Sequence, residues 1–297
     1  MKLAVIGAGH MGRFHAEKFS RLPGVELAAV VDRDAARATV SDYRTVIGKI
    51  DAAVVAVPTD LHHEVARACL ERGVHVLVEK PLAATLAEAD DLVDLAAKKD
   101  LVLQVGHVQR YSSAFRALAA RVDRPLYIDA ERLAGFKQRG AEVDVILDLM
   151  IHDLDLALSL ARVEVSAVSA CGFRVLTSDI DIASARVEFS NGCVADLSSS
   201  RVSQAVVRKF RVFQPGLYAS ADLQGGKLRY VRQSEGAIEE TEETHAGGDA
   251  LEAQAQAFLE AVQKRNPPAV DGVEGRRVLK LALDIGRLVR ERLARFA

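Results

Sequence analysis

The sequence contains no tryptophan, and aromatic residues make up only 5% of it. A carbohydrate platform built from stacked indoles is therefore excluded. Cysteine is also sparse: Cys69, Cys171 and Cys193 lie far apart in apolar stretches. No CxxC or Cys/His spacing suggests zinc, no metal is expected, and an odd scattered set makes a poor disulfide framework. These thiols read as small hydrophobes in a reducing compartment. Neither sign of charge is in excess, with Lys+Arg 39 against Asp+Glu 41 and a net charge of −2. General nucleic-acid and membrane-surface binders normally carry a basic excess, so neither partner is expected. No apolar run approaches the ~18 residues of a membrane span. Residues 1–6 look like a stunted signal peptide, but Gly7-Ala8-Gly9-His10-Met11-Gly12 interrupts them too early, and a cytoplasmic location is expected.

What is present fits an ordinary globular protein, 49% hydrophobic and 27% charged, and 297 residues suggest two domains. Up to residue 106, short β-branched runs (Leu3–Ile6, Leu27–Val31, Ala52–Val57, His75–Val78, Leu101–Val105) alternate with helical stretches. That alternation is the signature of βαβ units, and the nearly continuous apolar runs suit strands buried on both faces. Helices are expected over Met11–Leu22, Leu61–Arg72 and Leu86–Lys99, the last started by a Thr85…Glu88 capping box. The segment from Asp34 to Lys49 is short for a crossover helix and reads as irregular. After about residue 124 the pattern changes. A long helix is expected over Val143–Leu160, followed by alternating strands such as Ile182–Phe189, an Asn191-Gly192 hairpin turn, and two closing helices over Asp249–Arg265 and Val273–Phe296. The fold expected is α/β: a doubly wound parallel sheet over 1–120, then an α+β domain over 121–297 with a largely antiparallel open sheet.

Gly7-Ala8-Gly9-His10-Met11-Gly12 matches G-x-G-x-x-G, a weak signal alone. Its context strengthens it, because it follows a strand, opens a helix and precedes a second strand ending in Asp32. Gly7 makes the tight turn, Gly9 lets the backbone approach a pyrophosphate, and Gly12 lets the helix pack on the sheet. The helix N-terminus, at His10 and Met11, stabilises phosphate charge. Asp32 accepts from the adenosine ribose hydroxyls and repels a 2′-phosphate, favouring NAD over NADP, although Arg33 next to it is able to pair with that phosphate.

Three further motifs follow in order. Pro58-Thr59-Asp60-Leu61-His62 and Glu79-Lys80-Pro81 each end a strand at the carboxyl edge, where doubly wound sheets bind ligands. Asp148-Leu149-Met150-Ile151-His152 lies in the long helix, where Asp148 and His152, four apart, share one face with Asp144 and Asp155. A partly desolvated acid–imidazole pair is one reading of that stripe. A solvated polar face is another, and a metal pair lacks a third ligand.

With the glycine turn, these motifs resemble the Gfo/Idh/MocA family (glucose–fructose oxidoreductase and inositol dehydrogenase) along essentially the whole chain. The resemblance implies a hydride transfer between nicotinamide and a secondary hydroxyl of a sugar or nucleotide sugar. It implies Lys80, Asp148 and His152 as the catalytic set, with Pro58, Thr59, His62 and Glu79 lining the nicotinamide half of the site. The Gly106–Tyr111 segment is similar to a subgroup linked to oxidation of the 3-hydroxyl of UDP-N-acetylglucosamine, although Tyr111-Ser112-Ser113 departs from that subgroup's pattern. Arg110, Tyr111, Lys137 and Arg139 are the expected substrate contacts, joined by Arg132 around a diphosphate. A non-catalytic NAD-binding regulator, a dehydrogenase of free sugars or inositol, an NAD-dependent glycosidase and a tetrapyrrole reductase are the competing readings. Retention of the Lys–Asp–His set counts against the regulator, and retention of Asp148 and His152 against the tetrapyrrole reductase. The antiparallel sheet, with Arg186, Arg208, Lys209 and Arg211 among apolar neighbours, is expected to pack in a homodimer or homotetramer.

Overall fold

The computed structural model describes residues 1–136, 143–234, 236–245 and 247–296. The first stretch runs β1 (Lys2–Ile6), α1 (His10–Arg21), β2 (Glu26–Val31), β3 (Ala52–Val55), α2 (His62–Glu71), β4 (His75–Glu79), α3 (Leu86–Lys98) and β5 (Leu103–Gly106). All five strands are parallel in the order β2-β1-β3-β4-β5. β3 and β4 are buried at every position, which explains the apolar run of β3 and of Val76–Val78 in β4. The chain steps from β1 to β2 on one side and then to β3 on the other. The resulting reversal at the carboxyl ends of β1 and β3 opens the crevice in which such sheets hold ligands. Between β2 and β3 no crossover helix forms. Val40 makes a single parallel bridge to Val31, and Tyr43–Thr45 is one 3-10 turn. Thr85 and Glu88 form the expected reciprocal capping box on α3.

The next stretch carries α4 (Ser113–Ala119), β6 (Tyr127–Leu133), α5 (Ile151–Ala161), β7 (Val165–Phe173), β8 (Ile182–Phe189), β9 (Val194–Ser200), β10 (Val207–Gln214), β11 (Leu217–Asp222), β12 (Lys227–Ser234) and β13 (Ala237–Thr244). They form an eight-stranded sheet in the order β13-β12-β11-β10-β6-β9-β8-β7, antiparallel except between β6 and β9. Burial alternates along β6, β8 and β9, so one face is covered and the other is not. α5 packs on β6 and β9, and α4 on β11 and β12. On the less covered face Arg186 pairs with Asp196, and Arg211 with Asp129 and Glu131. β6, β7 and β13 are strands that periodicity alone did not single out.

The chain closes with α6 (Ala250–Lys264) and α7 (Gly272–Phe296). α6 docks on α1, where Phe19 and Phe258 meet edge to face at 6.3 Å within a core that also holds Leu3, Val5 and Ala255. The returning chain also caps the edge of β5, since Val105 donates to the Val270 carbonyl and Gln104 bridges Asp271. The chain accordingly divides into one compact unit of Met1–Val108 with Asp249–Leu279 and another of Gln109–Gly248 with Lys280–Ala297. This differs from a single cut after residue 120. The physical reason is that α1 and β5 each leave apolar surface and backbone groups that only the distant C-terminal segment satisfies.

Candidate active site

The glycine turn joins β1 to α1 at the switch point. Gly7 has φ +98°, and a Cβ there would lie 2.4 Å from the Ala56 carbonyl oxygen beyond β3. A Cβ on Gly12 would lie 1.7 Å from the Gly7 carbonyl oxygen, so the helix leaves the turn only because neither residue has a side chain. Gly9 differs, for nothing lies within 4 Å of where its Cβ would be. Its smoothness clears space beside the α1 N-terminus, which Gly9 caps without any side-chain hydrogen bond. This open cradle fits a dinucleotide pyrophosphate. His10 is exposed and Met11 half-buried beside it.

Asp32 closes the same site from the end of β2. One carboxylate oxygen accepts from the Ala8 N–H at 2.7 Å and the other from the Asp34 N–H at 3.0 Å. The Asp34 N–H foremost, then that of Ala8 and the charge of Arg37, hold the carboxyl below its ordinary range against the opposing effect of burial. The anion is thus fixed with its charge directed at the nucleotide end of the crevice. Arg33 is exposed.

At the end of β4, Glu79 is buried, Lys80 is half-buried and Pro81 is buried. His62, at the start of α2, is 1% exposed, and its two ring nitrogens lie 2.7 Å from the Pro81 carbonyl oxygen and 3.0 Å from that of Val57. Only the imidazolium donates to both. Desolvation, the largest influence, nevertheless pushes its pKa down. His62 therefore ties the Glu79–Pro81 turn to the Val57–Pro58 turn and sets the backbone that presents Lys80, while Pro58 is exposed and Thr59 half-buried on the intervening 3-10 turn. Glu79 reaches the other way, to His15 Nε2 at 2.6 Å. Burial alone would raise the Glu79 pKa, but the hydrogen bond and charge of His15, followed by the charges of Lys80 and His62, bring it below the ordinary range. His15 was missed by motif reasoning, since it falls after the glycine fingerprint on a helix whose sequence gives no partner for it. Its only signal was a histidine on the apolar face of α1, three residues beyond Gly12.

In the other unit the expected helix over 143–160 is not α-helical throughout. Ile146–Met150 winds as one π turn before α5 begins at Ile151. Such widened turns recur at functional sites. Asp148 lies in the π turn and His152 in the first turn of α5, and both remain half-buried in an element whose neighbours are largely buried. The acidic stripe is not solvated. Asp144 caps the helix by accepting from the Ile146 and Leu147 N–H groups, and pairs with Arg290. Asp153 takes Arg132 bidentately at 2.6 and 2.8 Å, and Asp155 takes Arg110 at 2.9 and 3.0 Å, all four side chains being largely buried. The Nε–Nη2 edges of Arg110 and Arg132 are thus committed to carboxylates of α5. Tyr111 is 8% exposed, and its hydroxyl has no partner among the described residues. Lys137 and Arg139 lie outside the described residues. No group of three or more His, Cys, Asp or Glu suited to a metal occurs among the described residues.

Comparison with known proteins adds to this geometry. Residues 1–107 match the oxidoreductase family with an NAD-binding Rossmann fold, and residues 114–214 match the GFO/IDH/MocA C-terminal domain. The UDP-N-acetylglucosamine 3-dehydrogenase of Acidithiobacillus ferrooxidans is 38% identical, with 96% of each chain covered. A solved structure of that enzyme superposes with a TM-score of 0.93 over 97% of both chains. The myo-inositol 2-dehydrogenase of Thermotoga maritima is 25% identical, covering 95% of this chain and 94% of its own. A glycine turn at the switch point, a lysine at the end of β4 and family matches to both halves lead to one conclusion: the chain belongs to the Gfo/Idh/MocA family of oxidoreductases.

Proposed function

We propose that the protein is an NAD-dependent dehydrogenase that oxidises a secondary hydroxyl of a nucleotide sugar, the 3-hydroxyl of UDP-N-acetylglucosamine. The observation that carries this reading is the 38% identity, end to end, with an enzyme of that name. The glycine turn and Asp32 would hold the dinucleotide, whose nicotinamide would supply the hydride acceptor for the carbinol carbon. The protein's task is to hold that carbon still, remove the hydroxyl proton and stabilise the charge that develops on oxygen. His152 takes the proton, since an imidazole titrates near neutral pH. Lys80 hydrogen-bonds the same oxygen. Asp148 orients these groups and favours the imidazolium once it has formed. Pro58, Thr59 and Glu79 line the nicotinamide half, with His62 holding the turn behind them. Arg110 and Tyr111, together with Lys137 and Arg139, supply substrate contacts.

The fixed Asp32 anion supports NAD over NADP, because a 2′-phosphate would meet an ionised carboxylate whose lone pairs are already aligned by two N–H groups. No helix among the described residues is long and apolar enough to cross a membrane. We infer a cytoplasmic enzyme that works as a homodimer or homotetramer. Phe173 and Ile182, exposed and paired across β7 and β8, support that reading. The test of function is NADH formation with UDP-N-acetylglucosamine, N-acetylglucosamine, free hexoses and inositols in parallel. Turnover of the UDP-sugar alone is expected, and turnover confined to free polyols contradicts the proposal.

A further inference from the structure

Arg208 and Arg132 stand directly opposite one another on β10 and β6. Both project from the covered face of the eight-stranded sheet, in step with Phe210 opposite Ala130 and Val212 opposite Ile128, all of them buried. The sequence groups Arg208 with Arg186, Lys209 and Arg211 among the apolar neighbours of a sheet expected to pack against a second subunit. The register separates it from them, because Lys209 and Arg211 alternate to the other side. Like charges directly across a strand pair destabilise a sheet. Here one of them is neutralised, since Arg132 is held bidentately by Asp153 of α5. Arg208 has no hydrogen bond or ion pair from its guanidinium among the described residues, although it is half-buried. Desolvation and then the neighbouring Arg132 push its pKa down, against the opposing charge of Asp153.

The row continues across the sheet. On the opposite side of β6, Ser199 of β9 stands level with Arg132. Ser199 is 1% exposed, and its hydroxyl has no partner among the described residues. A hydroxyl donor, a committed guanidinium and an uncommitted guanidinium thus lie in one line across β9, β6 and β10, beneath the helix that carries His152 one residue before Asp153. Asp153 is already taken by Arg132, so among the described residues the Arg208 guanidinium has no carboxylate of its own. A protein that buries such a cation gives up stability unless an anion arrives to meet it.

We propose that Arg208 is a specificity-determining residue that binds a phosphate group of the substrate, with the buried Ser199 hydroxyl in the same row. The planar guanidinium suits two oxygens of one phosphate. This inference rests on the nucleotide-sugar reading above and names the contact that would distinguish such a substrate from a free sugar.

The experiment measures UDP binding by calorimetry to the wild-type protein and to Arg208→Gln and Arg208→Lys, alongside NADH binding and thermal unfolding. Arg208→Gln is expected to weaken UDP binding tenfold or more, to leave NADH affinity unchanged, and to leave Tm unchanged or raised, because a half-buried cation without a partner among the described residues has been removed. Arg208→Lys keeps the charge without the fork and should lose a smaller factor. UDP affinity within twofold of wild type in Arg208→Gln overturns the assignment. So does a fall in Tm for both variants, which would mark Arg208 as structural. A wild-type protein that binds no UDP yet oxidises free sugars overturns both this inference and the nucleotide-sugar reading, whereas UDP binding that is indifferent to Arg208 overturns this inference alone.

Discussion

His15 Nε2 and Glu79 Oε1 lie 2.6 Å apart, with the histidine fully buried and the glutamate nearly so. The pair fastens the helix that follows the glycine turn to the strand end that presents Lys80, so one buried hydrogen bond couples the cofactor cradle to the proposed catalytic amine. Removing one partner of a buried pair leaves the other uncompensated, at a cost of about 3–5 kcal/mol. His15→Leu and Glu79→Gln should each lower stability markedly in denaturant unfolding, and the double variant should lose far less than the sum. The pH dependence has a definite sign. Because the folded-state pKa of Glu79 is depressed, its contribution is complete above the unfolded carboxylate value near 4.3 and disappears as pH falls through the lower folded value. Wild type should lose more stability than Glu79→Gln on acidification below about pH 4.

Two glycines of the fingerprint make opposite predictions. Gly12→Ala drives a methyl into the Gly7 carbonyl, so the turn must open and both stability and NADH binding should fall. Gly9→Ala meets nothing in the protein. It should fold with unchanged Tm and lose NADH affinity alone, measured by fluorescence titration. Equal loss of stability in both would contradict the assignment of Gly9 as the residue that clears space for the pyrophosphate.

Asp32 offers a direct test of nucleotide choice. Asp32→Ser removes the fixed anion while retaining a hydroxyl acceptor for the Ala8 N–H. The ratio of kcat/KM for NADP to that for NAD should rise at least about tenfold. A ratio that does not move would transfer the choice to Arg33.

In the sheet unit, Asp181 gathers the Val175, Leu176 and Thr177 N–H groups and the Thr177 hydroxyl on its buried carboxylate. Burial opposes ionisation, but these donors, led by Thr177, outweigh it and bring the pKa down to about 2. The stabilisation, about 2 kcal/mol, is present above the unfolded value near 3.9 and lost as pH falls toward 2. Asp181→Asn should forfeit it at neutral pH and flatten the stability–pH curve between about pH 4 and 2, as read by urea unfolding.

How far the sequence carried the fold depends on where the determining interactions lie. Local signals were legible: the glycine fingerprint, the Thr85–Glu88 box, the Asn191-Gly192 turn and the buried apolar strands each depend on neighbours within a few residues. The docking of α6 on α1 through Phe258 was not, since an amphipathic helix does not state which surface covers its apolar face. The same holds for the aspartates of α5. Spacing placed Asp144 and Asp155 on a stripe with Asp148, but their partners, Arg290 and Arg110, come from distant segments and turn solvated-looking charges into internal ties. The inward turn of Arg208 was hidden for a related reason, because its face depends on the register with β6, a strand that sequence alternation had not revealed.

Lys80 is proposed to act on the substrate oxygen rather than on cofactor binding. Its most direct test is Lys80→Ala, assayed for NADH formation from UDP-N-acetylglucosamine and, in the same preparation, for NADH affinity. A fall in kcat of roughly 10²-fold or more is expected, with NADH affinity within about threefold of wild type. Turnover at the wild-type rate, or a loss of turnover fully explained by lost NADH binding, would contradict it.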